Sequence, residues 1–296
     1  DGAGVSLQRL RVDLWAGDHA TWTSGTPTPT RFGVKKTAHF DSVMVIGEVG
    51  KVTNLTHVLQ TVVMSRSYAN PVVFAQSPSY NGIEEAVVRV TNVQSNQFAM
   101  FMQEPSNLNG THIEESVSYV VLEAGQWQLP NGEMLEVGTL DTSSTVGRRQ
   151  PSPQWETMAF ANAFGGIPVV LSQVQTTNDA SFVKTRQNSL TTDSFDVALE
   201  GEEIDTTQHG LETIGYMALD AGTGQWGSIT YEGFVTPTVF TDAGSTLTLS
   251  HSFSQAPNFL SSLSTHNGQD PSELRYSNLT GTGAQIFVEE DTTFDT

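Results

Sequence analysis

Residues 71–125 read PVVFAQSPSYNGIEEAVVRVTNVQSNQFAMFMQEPSNLNGTHIEESVSYVVLEAG, and residues 168–222 read PVVLSQVQTTNDASFVKTRQNSLTTDSFDVALEGEEIDTTQHGLETIGYMALDAG. Aligned without a gap, the two stretches agree at 13 of 55 positions. A third copy starts at Pro257 and keeps the same register. Copies that begin 97 and then 89 residues apart are too long for helical solenoid units and predict one small sandwich domain each.

Polar residues recur at fixed distances from the first proline of each copy. Asn recurs after ten residues and Arg after eighteen, as Asn81, Asn178, Asn267, Arg89, Arg186 and Arg275. The two complete copies also share His after forty-one residues and Glu after forty-four, as His112, His209, Glu115 and Glu212. These ten residues are our candidates for ligand binding.

Hydrophobic alternation predicts the strands. Phe98, Met100 and Met102 alternate with other residues at period two, as do the matching residues of the other copies, which indicates a half-buried antiparallel strand. Turn-forming stretches at Gln94–Gln97, Thr191–Ser194 and Thr280–Gly283 join it to the strand that carries the repeated Arg. We expect an all-β chain of tandem antiparallel β-sandwiches, about six strands each, with the third copy incomplete.

The repeats divide the chain into four parts. We expect the end of an upstream β domain and a linker at residues 1–39, and sandwich repeats at 40–130, 131–228 and 229–296. Phe98, Val117 and Tyr119, with Phe195, Ile214 and Tyr216 in the second copy, are the predicted residues of two separate cores.

The order of these features resembles the H-type lectin domain. The shared elements are an apolar strand near Pro-Val-Val, an Asn loop, a strand with Arg, a turn before Phe, a His-bearing loop and a final Tyr-x-x-Leu-x-Ala-Gly strand. The family usually ends in a Trp-Ile-Ala-Ile-Gly type run, from which Tyr119–Gly125 and Tyr216–Gly222 depart. The resemblance implies six-stranded sandwiches, a threefold arrangement and sugars of the N-acetylgalactosamine type bound at subunit boundaries. The first 33 residues, with Ser6–Arg9, Trp22 and the Thr-Pro repeat at 26–29, resemble the last strands of a lamin-tail domain.

Composition excludes several classes of function. Lys and Arg number 13 against 32 Asp and Glu, a formal charge of −19, which repels nucleic acid and anionic membranes. The chain has no cysteine, and no apolar run long enough to insert into a membrane. We find no nucleophile motif, phosphate loop or metal-ligand spacing, so we expect no enzyme and no cofactor, and no motif supports a calcium site. The low Lys and Arg content is typical of a saline or calcium-containing exterior, which favours an extracellular or cell-surface location.

Each repeated residue has a structural and a functional interpretation. On an antiparallel hairpin, Arg89, Arg186 and Arg275 could face Gln103, Glu200 and Glu289 on the outward surface, or donate to sugar hydroxyls. The Asn side chains could cap turns or bind a ligand, and the His residues lie in a loop where recognition is common. His and Glu three residues apart would lie on opposite faces of a strand.

Two hypotheses follow. In the first, the chain is a non-catalytic carbohydrate-binding or adhesion segment whose partner is a glycan or polysaccharide. In the second, the repeats are structural units of a surface fibre or secreted protein and bind no sugar. Both include self-association or pseudo-threefold packing of repeats. The third copy lacks the last apolar strand, so we expect either a continuing chain or a strand from another chain to complete it.

Overall fold

A computed structural model describes residues 6–9, 22–25, 45–147 and 149–294 of the chain. These residues form twenty-one strands and no helix, so the predicted all-β fold is confirmed. Strand β1 (Ser6–Arg9) pairs antiparallel with β2 (Trp22–Gly25). The rest of the stretch that resembles a lamin-tail domain lies outside the described residues. Among the described residues, no helix is long and apolar enough to cross a membrane.

We call residues 45–130 repeat 1, residues 131–228 repeat 2 and residues 229–294 repeat 3. Repeat 1 has two three-stranded antiparallel sheets. The first has the order β3 (Gly47–Leu55), β8 (Glu115–Glu123), β5 (Pro71–Phe74), and the second the order β4 (Gln60–Val63), β7 (Gln97–Gln103), β6 (Val87–Gln94).

Repeat 2 has the same two layers with additions at the edges. Its first sheet has the order β13 (Val169–Val174), β16 (Glu212–Leu219), β10 (Met134–Thr142), β9 (Gly125–Gln128), and its second has β11 (Thr145–Val146), β15 (Ser194–Glu200), β12 (Glu156–Ala159), with β14 (Lys184–Asn188) also paired to β15. Strand β11 is parallel to β15, whereas the other pairs of repeat 2 are antiparallel. Strand β9 follows the last strand of repeat 1, so this sheet also joins the two repeats.

Repeat 3 has one three-stranded sheet of its own and a hairpin that it shares with the end of repeat 2. The sheet has the order β19 (Ser245–Thr248), β21 (Gly283–Glu290), β20 (Ser272–Thr280), and the hairpin consists of β17 (Gly222–Trp226) and β18 (Ile229–Gly233). The sheet corresponds to the one that carries the Arg hairpin in repeats 1 and 2.

Each repeat has its own hydrophobic core, as the alternation predicted. Phe98 and Phe195 are fully buried at the centres of the first two cores. The other predicted core residues belong to the same two clusters, with Val117, Ile214 and Tyr216 buried and Tyr119 partly buried. A fourth cluster contains residues of all three repeats, including Phe74, Met217 and Leu260. Apolar packing therefore also holds the repeats against one another.

The three Arg hairpins share one backbone irregularity. Asn92, Ser189 and Asn278, all twenty-one residues after the first proline of their copy, have φ of 51°, 52° and 51°. In repeats 1 and 3 this residue lies in a β-bulge that shifts the strand register. The predicted pairing was wrong by two residues in all three hairpins, since the Arg residues lie opposite Phe101, Ala198 and Phe287.

Candidate functional site

The structure separates the ten candidate residues into two groups. Asn81, Asn178 and Asn267 are exposed in loops. The other seven are buried, with at most 7% of their surface accessible: Arg89, Arg186, Arg275, His112, His209, Glu115 and Glu212. The prediction that the Arg residues lie on an outward surface was wrong. Their side chains point away from the core of their own repeat, but a neighbouring repeat covers them.

Arg275 of repeat 3 is completely buried against repeat 1. Its Nε donates to the carbonyl of Ser79 at 2.9 Å, and its Nη2 lies 2.8 Å from a carboxylate oxygen of Glu115. Its Nη1 donates to Glu289 of its own repeat at 2.7 Å. The guanidinium also lies 5.0 Å from the ring centre of Tyr80. Arg275 is thus a charge-paired anchor between the third and first repeats.

Arg89 of repeat 1 enters repeat 2 in the same way. Its Nη1 donates to the carbonyl of Ser181 at 2.9 Å and its Nη2 to the carbonyl of Thr176 at 3.3 Å. Its Nη2 lies 3.7 Å from Glu212, and Nη1 also donates to Gln103 of its own repeat. Gln103, which the sequence analysis placed opposite Arg89, therefore does accept a hydrogen bond from it, although the two residues lie diagonally across the hairpin.

The two junctions use equivalent positions. Thr176 and Glu212 of repeat 2 correspond to Ser79 and Glu115 of repeat 1, eight and forty-four residues after the first proline. Repeat 1 inserts its Arg into repeat 2, and repeat 3 inserts its Arg into repeat 1. Sequence repetition alone did not reveal this, because an Arg and the Glu it meets belong to different copies.

The junction of Arg186 departs from this pattern. Its Nε donates to Glu200 of its own repeat at 2.9 Å, and its Nη2 donates to Ser272 of repeat 3 at 2.8 Å. Lys184 Nζ lies 3.6 Å and His266 Nε2 4.0 Å from the same carboxylate. Neither nitrogen makes a hydrogen bond to any residue that the structure describes. Three cationic or potentially cationic groups thus surround one carboxylate.

The buried Glu residues also hold the Asn loops in place. Glu115 accepts hydrogen bonds from the backbone N–H groups of Asn81 and Gly82 and from the hydroxyl of Ser79. Glu212 repeats this with the Asn178 loop. The Asn81 side chain donates at 3.0 Å to the carbonyl of Glu114, 33 residues further along the chain, so it joins two loops rather than capping its own turn. These loops are therefore built into the repeat junctions.

His112 and Glu115 lie together rather than on opposite faces. His112 Nε2 is 3.4 Å from Glu115 and its Nδ1 is 3.0 Å from Glu104. His112 precedes β8 in a loop, as the sequence analysis placed it, so the strand geometry that would put His and Glu on opposite faces does not apply. Burial alone would raise the pKa of Glu115, but interactions with His112, Gly82 N, Ser79 and Arg275 outweigh it, so this pKa lies below its usual value.

A buried polar cluster joins all three repeats. The pKa of Glu85 of repeat 1 is raised to about 8, chiefly by burial; Lys184 of repeat 2 lowers it, and Asp291 and Glu289 of repeat 3 add to the increase. Burial also raises the pKa of Glu273 well above its usual range. Sequence reasoning missed Glu85, Glu273 and Asp291 because none of them is repeated between copies, and it named Glu289 only as a cross-strand neighbour of Arg275.

We expect Glu85→Gln to stabilise the chain at alkaline pH. A carboxyl with a raised pKa is neutral in the folded state at a pH where the unfolded chain would ionise it. Stability is therefore lost as the pH rises from about 4.5 to about 8. Gln removes that loss, so the gain should reach up to about 4 kcal/mol above pH 8 and vanish below pH 4.5.

Urea unfolding at pH 4 and pH 9 measures this effect. Glu84→Gln, at the neighbouring and more accessible position, is the matched control and should show no such pH dependence. An equal change in stability at both pH values would contradict the assignment to Glu85.

Together these features define a tandem β-sandwich protein whose repeats are joined by buried arginine–carboxylate junctions. The chain is similar to halomucin of Haloquadratum walsbyi, with 30% identity over 243 residues. The similar region covers 78% of this chain and 2% of halomucin, so the chain spans only a small part of that protein's length. No family model and no solved structure matches the chain.

Proposed function

We propose that the chain is a non-catalytic segment of an extracellular or cell-surface protein, in which the three repeats pack about one pseudo-threefold axis as a single structural unit. The observation that carries this proposal is the equivalence of the Arg89 and Arg275 junctions. The same two positions of one repeat receive an Arg from a neighbour in both cases. A closed arrangement of three repeats accounts for both junctions with one geometry.

The shared apolar cluster supports the same arrangement. Phe74 of repeat 1, Met217 of repeat 2 and Leu260 of repeat 3 belong to one cluster at the meeting point of the three repeats. The buried polar cluster around Glu85 also draws on all three. A linear string of domains would bring only adjacent repeats together.

The likeness to halomucin and the net charge support an extracellular location. Halomucin is by its name a mucin, and a charge of −19 keeps a protein soluble where salt screens repulsion. The seven buried candidate residues are occupied by other parts of the chain. Their burial favours a role of the repeated residues in holding the repeats together, rather than in acid–base or nucleophilic chemistry.

Small-angle scattering of the full chain tests the closed arrangement. A compact chain of 296 residues has a radius of gyration of about 19 Å, whereas three separate beads in a row give roughly 25–30 Å. We expect the smaller value for the native chain and an increase for Arg275→Leu. An extended native chain would reject the proposal.

Carbohydrate binding is a second candidate, favoured by the position of the Asn loops. Asn81 and Asn178 are exposed at the edges of the Arg275 and Arg89 junctions, and the resemblance to H-type lectins implies sugar contacts at subunit boundaries. Asn267 occupies the equivalent position of repeat 3. Sugars would therefore meet the Asn loops, while the buried Arg residues would support them from below.

Glycan-array binding, compared with the triple variant Asn81→Ala, Asn178→Ala, Asn267→Ala, tests this candidate. The Asn residues are better targets than the Arg residues because exposed loop substitutions leave the junctions intact. We expect the native chain to bind N-acetylgalactosamine-type glycans and the variant to lose that binding. Equal signals from both proteins, or none from the native chain, would reject a role for these loops.

A further inference from the structure

The central strand of one sheet is highly apolar in repeats 1 and 2. Strand β8 lies between β3 and β5, and β16 lies between β10 and β13. Both strands present apolar side chains on two faces. One face enters the core of its own repeat, and the other face enters the cluster shared by the three repeats. In β8, the core face carries Val117, Tyr119 and Val121, and the shared face carries Val120 and Leu122. In β16, the core face carries Ile214, Tyr216 and Ala218, and the shared face carries Met217 and Leu219.

Repeat 3 has a cleft of about 840 Å³ at the corresponding place. Ile286 of the sheet β19–β21–β20 lines its floor, and Phe234, Phe259 and Leu263 line its walls. In repeats 1 and 2 the segment after the first proline forms β5 or β13 and pairs with the central strand. In repeat 3 the described residues 249–271, which include that segment, hold no strand.

The walls of the cleft are held by the other two repeats. Phe259 N donates to Ser118 Oγ of repeat 1 at 3.0 Å, and Ser262 Oγ donates to the carbonyl of Val170 in repeat 2 at 2.9 Å. Phe259 is only partly buried, whereas Val73 and Val170, at the same repeat position, are 0% and 4% exposed. The cleft therefore keeps its shape while its apolar lining stays accessible.

The contacts of the three repeated Arg residues are a second observation that points to the same cleft. Arg275 and Arg89 each reach the Glu that begins the central strand of a neighbouring repeat. Arg186 makes no such contact and bonds Glu200 and Ser272 instead. Beside it, within the part of the chain that the structure describes, the buried Lys184 Nζ and His266 Nε2 have no hydrogen-bond partner. Both nitrogens lie within 4.0 Å of Glu200, the carboxylate that Arg186 bonds in place of a Glu from a neighbouring repeat.

We propose that this cleft binds one β-strand of the β8 and β16 type, donated by a further repeat of the same class. Such a strand begins with Glu, alternates apolar residues on both faces and ends in Ala-Gly. Its apolar side chains would fill the cleft and its Glu would pair with Arg186, as Glu115 pairs with Arg275. This inference rests on the proposed function in treating the chain as part of a repeat-built protein.

Peptides taken from the chain itself test the proposal. The probes are ESVSYVVLEAG (residues 115–125) and ETIGYMALDAG (residues 212–222), titrated against the full chain by calorimetry. We expect saturable one-to-one binding and new hydrogen-exchange protection at residues 257–265. Replacing the first Glu of either peptide by Ala should weaken binding at least about tenfold. The loss of affinity caused by this Glu→Ala change should be smaller when the peptides are titrated against the Arg186→Gln variant of the chain.

A fusion variant gives an independent readout. Joining ETIGYMALDAG to Thr296 through four residues places its Glu forty-four residues after Pro257, as in the complete repeats. This fusion should melt at a higher temperature and should no longer bind free peptide. A matched fusion with both the Ile and Tyr of the peptide replaced by Asp should do neither.

The outcomes separate this inference from the proposed function. No peptide binding and no stabilisation by the fusion, with a compact scattering profile, would overturn the strand site alone. Stabilisation by the fusion that the Asp substitutions leave unchanged would also overturn it. An extended scattering profile would instead reject the closed unit.

Discussion

Replacing Glu115 by Ala is expected to destabilise the folded chain by about 3–5 kcal/mol, the usual effect of removing one member of a buried ion pair. The carboxylate is fully buried and lies 2.8 Å from Arg275. Its loss leaves that guanidinium with Glu289 as its carboxylate partner. It also leaves the N–H groups of Asn81 and Gly82 without their acceptor. Urea unfolding at pH 7 measures the change.

The control for this prediction is Glu114→Ala, at an exposed neighbouring position, which should change stability by less than about 0.5 kcal/mol. Because the pKa of Glu115 is lowered, its contribution is present above about pH 4.5 and is lost as the pH falls below that value. A double-mutant cycle that combines Glu115→Ala with Arg275→Leu should give a larger coupling energy than a cycle that combines Glu212→Ala with Arg89→Leu. The latter pair is 3.7 Å apart. Equal or absent coupling in both cycles would contradict a charge-paired junction.

Phe195→Ala is expected to lower stability by about 3–5 kcal/mol through a cavity in the core of repeat 2. The ring is fully buried, stacked on Phe160 and tilted against Tyr216, with ring centres 5.6 Å away in both cases. Chemical unfolding monitored by tryptophan fluorescence measures the loss. A change below 1 kcal/mol would show that this strand face does not form the core.

The chain offers two comparisons for that substitution. Phe98→Ala, at the equivalent position of repeat 1, should have a similar effect because its ring is equally buried. Ile83→Ala, which removes an apolar side chain that is 90% exposed, should change stability by less than about 0.5 kcal/mol. Repeat 3 carries Ala284 at the same position, so its core contains no ring to remove there.

The strands were predictable because their signal is local. Alternation around Phe98 and Phe195 and the turn residues at Gln94–Gln97 fix which face is buried and where the hairpin reverses. The register was not predictable, since the bulge at Asn92 depends on a positive φ that the sequence pattern does not mark. One unexpected residue in a bulge changes every pairing beyond it.

The burial of the Arg residues was not predictable for a different reason. On an isolated sandwich, Arg89 would lie on a solvent-facing side of the hairpin. It is buried because repeat 2 places Thr176 and Ser181 over it, and contacts between distant segments leave no periodicity in either one. The exact recurrence of Arg in three copies was the available signal. It fitted a structural and a binding interpretation equally.

The contact between repeat 3 and repeat 1 has a mechanical consequence. If the polypeptide is pulled from both sides, force entering at β3 and leaving at β21 passes directly across the Arg275–Glu115 pair rather than through repeat 2. The chain should then resist extension until that pair and the backbone bonds of Tyr276 with Tyr80 and Pro78 break together. Once these contacts break, the three repeats can separate one after another, and the chain becomes longer. A surface protein built from such units would extend under shear in discrete steps and shorten again when the flow stops.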